Sequence, residues 1–162
     1  MLRAPTLADE REFIASVRRS RALHRPWVAA PRTAAEFRAF VKRMAQPGNR
    51  AFLICRRDSG AIFGVISVTN IVLGLFRSGY LGYYAFATQQ REGLMREGLA
   101  AVVRFALRSM KQHRLEANIQ PGNRLSIGLV KACGFAKEGY SPRYLKIGGR
   151  WRDHERWAII AR

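Results

Sequence analysis

The stretch from Tyr80 to Met110 constrains the fold more than any other. An aromatic-rich run, Tyr80–Phe86, has the composition of a strand. A polar loop follows, and then the longest amphipathic segment, Leu94–Met110. Positions 95, 99, 102, 106 and 110 lay apolar side chains along one helical face, with Arg96, Arg104 and Arg108 outside. Such a helix needs a sheet for that face to cover. The loop enters the helix at Gly93. The first N–H groups of a helix lack intrahelical partners and the macrodipole is positive there, so such a start attracts phosphate. Glycine at that point allows a diphosphate close approach. An ordinary helix start looks the same, and this segment alone leaves both readings open.

The flanking segments alternate in the same way. Residues 2–5 predict a short strand, and Thr6-Leu7-Ala8-Asp9 opens a helix whose stripe is Phe13, Ile14 and Val17. His24–Pro31 reads as a loop, with Trp27 plugging into the core. Thr33-Ala34-Ala35-Glu36 is a capping box, and Phe37, Phe40, Val41 and Met44 follow at helical spacing. Strands are expected at Ala51–Arg56 and Ala61–Ile71, joined by the turn Asp58-Ser59-Gly60, and at Leu115–Ile119. Asn123–Cys133 reads as a shorter helix, with Gly134 at the left-handed position after it. Two closing strands span 136–147 and 151–160. The expected order is β-α-α-β-β-β-α-β-α-β-β, an α/β (α+β) fold with one mixed sheet and helices on both faces.

A length of 162 residues suits a single domain, 1–162. Two cysteines, Cys55 and Cys133, provide no disulfide framework and no four-cysteine zinc site. His24, His113 and His154 lie far apart, so no metal is expected. No apolar run reaches the ~18 residues of a membrane span, and residues 1–20 lack the apolar centre of a signal peptide. A cytoplasmic, reduced protein without membrane contact is expected. The net charge of +18, from 29 Lys and Arg against 11 Asp and Glu, fits a polyanion partner or a solvated arginine-rich surface.

The loop Gln90-Arg91-Glu92-Gly93-Leu94-Met95, set in this order of elements, resembles the pyrophosphate loop of the GNAT superfamily of N-acetyltransferases. That loop has the pattern Gln/Arg-x-x-Gly-x-Gly/Ala; Met95 stands here for the small residue, and Glu92 adds an acid. Asn123-Arg124-Leu125-Ser126, Gly134-Phe135, Lys137-Glu138-Gly139-Tyr140 and Trp151-Arg152-Asp153-His154 narrow the resemblance to the bacterial ribosomal-protein-alanine N-acetyltransferases. The resemblance implies a mainly antiparallel sheet and acetyl-CoA as cosubstrate. It implies direct transfer to a protein N-terminal α-amine, that of a ribosomal protein. The positive charge would repel basic ribosomal tails, so the basic face is expected to meet RNA or an acidic surface of the target complex, and a monomer or dimer is expected. Alternatives are a small-molecule amine as acceptor, or an acyl-CoA-binding or RNA-associated module without turnover.

By the same resemblance, Gln90, Arg91, Glu92, Gly93, Leu94, Met95 and Arg96 hold the diphosphate, and Tyr83, Tyr84 and Ala85 offer backbone groups to the pantetheine and thioester. The two tyrosine side chains also read as core. Asn123 matches the asparagine that bonds the pantetheine arm, and it reads equally as a helix cap. Many relatives carry a tyrosine acid seven residues after that asparagine, where Val130 stands here; Ser126 matches a serine at the thiolate. A glutamate of some relatives is Asn118 here. Glu138 is then the expected base, with Glu116, Asp153 and His154 as lesser candidates. An α-amine is neutral in roughly 10–15% of molecules at pH 7 and a lysine in well under a thousandth, so a site without a strong base favours an N-terminus.

Overall fold

The computed structural model describes residues 1–87 and 93–161. After β1 (Leu2–Arg3), a 3-10 turn at Leu7–Asp9 leads into α1 (Glu10–Arg19), α2 (Arg21–His24) and α3 (Ala34–Met44). Three strands follow, β2 (Arg50–Cys55), β3 (Ile62–Val72) and β4 (Ser78–Ala85). Next are α4 (Leu94–Arg108), β5 (Arg114–Ile119), α5 (Arg124–Ala132), β6 (Ala136–Ile147) and β7 (Arg150–Ile160). The one-turn α2 is an element the expected order lacks, and it meets the expected loop His24–Pro31 only at His24. The remaining elements fall within a few residues of their expected places.

One sheet of seven strands runs β1-β2-β3-β4-β5-β7-β6. Each neighbouring pair is antiparallel except β4–β5, which is parallel. Side chains alternate across a strand, and the two faces bury separate cores. Ile54, Phe63, Ile66 and Val68 pack with Leu99, Val102 and Ala106 of α4 and Val130 of α5. Leu53, Cys55 and Val65 pack on the other face with Phe13 and Val17 of α1 and Phe37, Phe40 and Met44 of α3. Helices thus cover both faces, as the sequence predicts.

The break in the sheet lies at its parallel pair. β4 pairs with β3 from Ser78 to Ala85, but with β5 only from Ser78 to Tyr80. Beyond Tyr80 and Glu116 the two strands part, and their facing edges lose ladder partners. Side chains hold the free end of β4 from outside. The His24 Nε2–H donates to the Ala85 carbonyl at 2.8 Å, the carbonyl being able only to accept. The Ala87 N–H donates to Ser20 Oγ at 2.8 Å.

Trp27 departs from expectation. It is half-buried and its ring lies 3.2 Å from where a Gly122 Cβ would stand, so it forms a wall rather than a core plug. Gln120 Nε2 donates to the Pro26 carbonyl at 3.2 Å and fixes that loop against β5.

Candidate active site

The gap between β4 and β5 opens a cavity of about 560 Å³. Its walls come from both faces of the sheet. Tyr83, Met95, Arg96, Asn123 and Ser126 line the side of α4 and α5, while His24, Trp27, Tyr84, Asn118 and His154 line the other. Among the described residues, no aspartate or glutamate lines it. A smaller recess of about 300 Å³ shares Trp27 and Gln120 with it and is walled by Trp151, Arg152 and Asp153.

At the mouth stands the start of α4. Gly93 has φ 73°, in the left-handed region, and among the described residues no atom beyond its chain neighbours lies within 4 Å of where its Cβ would be. The first amide of α4 with an intrahelical bond is that of Glu97, which donates to the Gly93 carbonyl at 3.1 Å. The N–H groups of Leu94, Met95 and Arg96 therefore lack an intrahelical acceptor beside an open approach. These residues fit a diphosphate. Gln90, Arg91 and Glu92, predicted for the same role, lie outside the described residues.

Met95, which stands for the small residue of the motif, lines the cavity and leans toward β3. Its Sδ lies 2.9 Å from where a Gly64 Cβ would stand, so the missing side chain on β3 makes room for it.

Asn123 caps α5, its Oδ1 accepting from the Ser126 N–H at 3.2 Å. Ser126 Oγ is 2.6 Å from Tyr83 Oη. Burial raises the Tyr83 hydroxyl well above its ordinary pKa, so it stays protonated at neutral pH. Val130 is fully buried one helical turn further on and carries no proton. The hydroxyl pair Tyr83–Ser126 bears neutral O–H protons on this wall.

Tyr84 faces the opposite way, edge-on to His24 with ring centroids 5.2 Å apart. Its hydroxyl is buried without a partner among the described residues, as is Asn118 Oδ1. Burial also drives the Tyr84 hydroxyl pKa upward and the His24 imidazole pKa downward.

Glu138, the expected base, is not brought to the cavity. Its carboxylate takes two hydrogen bonds from the Arg114 guanidinium, one at 3.0 Å, and Arg114 also binds Glu116 at 2.7 Å. Arg114 pairs with Ser78 at the closed end of the β4–β5 seam, away from the opening. The Arg114 hydrogen bonds hold Glu138 below the usual carboxylate range, which suits a structural ion pair rather than proton transfer near neutrality. Asp153 is engaged likewise, accepting from Tyr140 Oη at 2.5 Å and the Arg143 N–H at 2.7 Å.

His24, Trp27 and Gln120 are cavity residues that the sequence did not reveal. Periodicity reports which face of an element is apolar; it carries no signal for a side chain that meets a strand some 60 residues later, as His24 meets Ala85.

Residues 1–136 match the acetyltransferase (GNAT) domain family. The [ribosomal protein uS5]-alanine N-acetyltransferase of Escherichia coli (strain K12) is 44% identical over 97 residues, 60% of this chain. The chain matches half the length of that relative, 50%. The ribosomal-protein-S5-alanine acetyltransferase of Vibrio fischeri superposes with a TM-score of 0.86 at 25% identity, covering 98% of this chain and 91% of that one. A Vibrio cholerae spermidine N-acetyltransferase in complex with CoA and spermine shares the fold, with a TM-score of 0.83 at 20% identity over 99% and 94% of the two chains. A sheet split at its parallel pair, a helix start open to the gap and a family match across most of the length agree: the chain belongs to the acetyltransferase (GNAT) family.

Proposed function

We propose that this protein is an acetyl-CoA-dependent N-acetyltransferase acting on a protein N-terminal α-amine, that of a ribosomal protein. The observation that carries the reading is the cavity free of carboxylates, among its described lining residues, with the α4 N-terminus at its mouth. Bound acetyl-CoA would supply the activated acyl carbon. The Leu94, Met95 and Arg96 amides would hold its diphosphate, the unpaired edge of β4 at Tyr83–Ala85 its pantetheine arm, and Asn123 the arm's far side. The Tyr83–Ser126 hydroxyls, paired at 2.6 Å, would give the leaving sulfur its proton. This fits an enzyme that forms a ternary complex.

The lining also bears on the acceptor. A polyamine keeps further positive charges, which a site in low dielectric must balance with carboxylates. The described lining carries Arg96 and none of those. An N-terminal α-amine reaches its neutral form with ~3.4 kcal/mol less cost than a lysine, from a pKa difference of about 2.5 units. The recess beyond Trp27 gives the following residues of a peptide a place to lie. The surplus of cations, +18 net, supports contact with RNA or an acidic surface on the target complex. Such a target places the protein in the cytoplasm.

Mass spectrometry of acetyl transfer decides this. The substrates are a ribosomal-protein N-terminal peptide, the same peptide with a blocked N-terminus and an internal lysine, and spermidine. Transfer to the free N-terminus alone is expected. Faster transfer to spermidine would move the protein to the small-molecule reading, and acetyl-CoA binding without transfer to any amine would leave a non-catalytic binding module.

A further inference from the structure

The geometry points to His154 as the group that takes the proton from the attacking amine, with Asn118 Oδ1 holding that amine; this assignment rests on the acetyltransferase reading above. His154 lies on β7, is 3% exposed and lines the cavity. Its Nδ1 is 2.9 Å from the Arg152 carbonyl. A carbonyl accepts only, so Nδ1 carries the proton in the neutral ring and Nε2 keeps the lone pair. The ring is therefore fixed in the tautomer that a base requires.

Register places the two residues together. Ala117 pairs with Trp157 and Asn118 with Arg156 across β5 and β7. Ala117 and Trp157 belong to the core under α4 and α5, so Asn118 and Arg156 face the other way. His154, two residues before Arg156, faces with them. Asn118 Oδ1 is buried with no partner among the described residues, an acceptor waiting for an N–H donor. The ionisable groups around His154 are few. Arg152 and Arg156 flank it on β7, Tyr144 of β6 lies 6.3 Å away ring to ring, and Asp153 is taken by Tyr140 and Arg143. Across the cavity stand His24 and Tyr84. No carboxylate among the described lining residues competes for the amine's proton.

The step balances simply. The nitrogen–carbon bond forms, the carbon–sulfur bond breaks, and one nitrogen-bound proton passes to Nε2. The sulfur leaves with its electron pair and takes one proton, and the imidazolium returns its own to solvent.

The test compares wild type with His154→Asn and His154→Gln, using an N-terminal peptide, acetyl-CoA, and pH profiles of kcat/KM. Asparagine keeps an N–H donor for the Arg152 carbonyl while removing the base. Both variants should lose about 100-fold or more in kcat/KM. Both should keep the thermal shift that acetyl-CoA produces. The acid limb should fall with slope two in wild type, for histidine and substrate amine, and slope one in the variants. Variants within threefold of wild type, or still of slope two, overturn the assignment. Loss of the acetyl-CoA shift in both variants overturns it too, marking a structural role. A wild type that acetylates no amine fails the activity itself and takes this assignment with it.

Discussion

Tyr83 and Tyr84 are neighbours on one strand, yet they belong to two different half-sites. Tyr83 points to the α5 side, where its hydroxyl pairs with Ser126 and Asn123 pairs with the Ser126 amide. Tyr84 points to the α1–α3 side, where its own hydroxyl and Asn118 Oδ1 are buried without partners among the described residues. Arg152 and Arg156 Nε are in the same condition. On the first wall these side chains are paired before any ligand arrives, while the Leu94, Met95 and Arg96 amides stay without an intrahelical acceptor. The other carries unmet hydrogen bonds, which a buried site keeps at a stability cost when binding needs them. On the function proposed above, the paired wall would face the acyl carrier and the unpaired wall the amine.

The comparison can be broken by substitution. The largest effect is expected at the α4 end of the first wall. Gly93→Val forces a β-branched residue into φ 73° and places methyl groups in open space needed by the diphosphate, and calorimetry should show acetyl-CoA affinity reduced tenfold or more. Tyr83→Phe should cost roughly 1 kcal/mol in denaturant unfolding, because Ser126 Oγ loses its 2.6 Å partner, and should slow turnover. Tyr84→Phe should do the reverse, gaining up to about 1 kcal/mol by deleting a hydroxyl that lacks a partner. Equal signs for the two tyrosines would erase the distinction between the walls.

A fourth expectation concerns pH. Burial depresses the His24 pKa below its ordinary value of 6.5. Above that pH neither folded nor unfolded chain binds the proton, and nothing is lost. As the pH falls below about 6.5 the unfolded chain takes up a proton that the folded one refuses, so stability declines until the folded value is passed. His24→Gln should flatten that decline in unfolding measured from pH 7 to pH 5. The smallest effect belongs to Glu138→Gln. Turnover should stay within twofold, and stability should drop by about 0.5 kcal/mol or less after solvent screening. The loss should vanish on acidification through the lowered Glu138 pKa, since the carboxylate's contribution exists only above it.

Much of this was legible in the residues. Thr33 and Glu36 form their capping box, Asn123 caps α5, and Gly134 takes φ 88° after it. These are local signals, set by neighbours within a turn. The helix start at Gly93 was legible for the same reason. What failed was non-local. Glu138 looked free because its partner Arg114 lies 24 residues away and meets it only once the sheet forms. Trp27 looked like core because a tryptophan beside prolines gives no sign of the Gly122 gap that receives it. His154 stood only among the lesser base candidates; that its ring, tied through Nδ1 to the Arg152 carbonyl, lines the cavity follows from strand register, which no pattern within 151–160 encodes.

The ties on the free end of β4 have a further consequence. His24 grips Ala85 and Ser20 grips Ala87, and both come from the α1–α2 segment that borders the acceptor wall. On the function proposed above, an amine that settled this segment would also steady the strand edge offered to the acyl carrier. Thermodynamic reciprocity would then make each reactant tighten the other's hold by an equal factor.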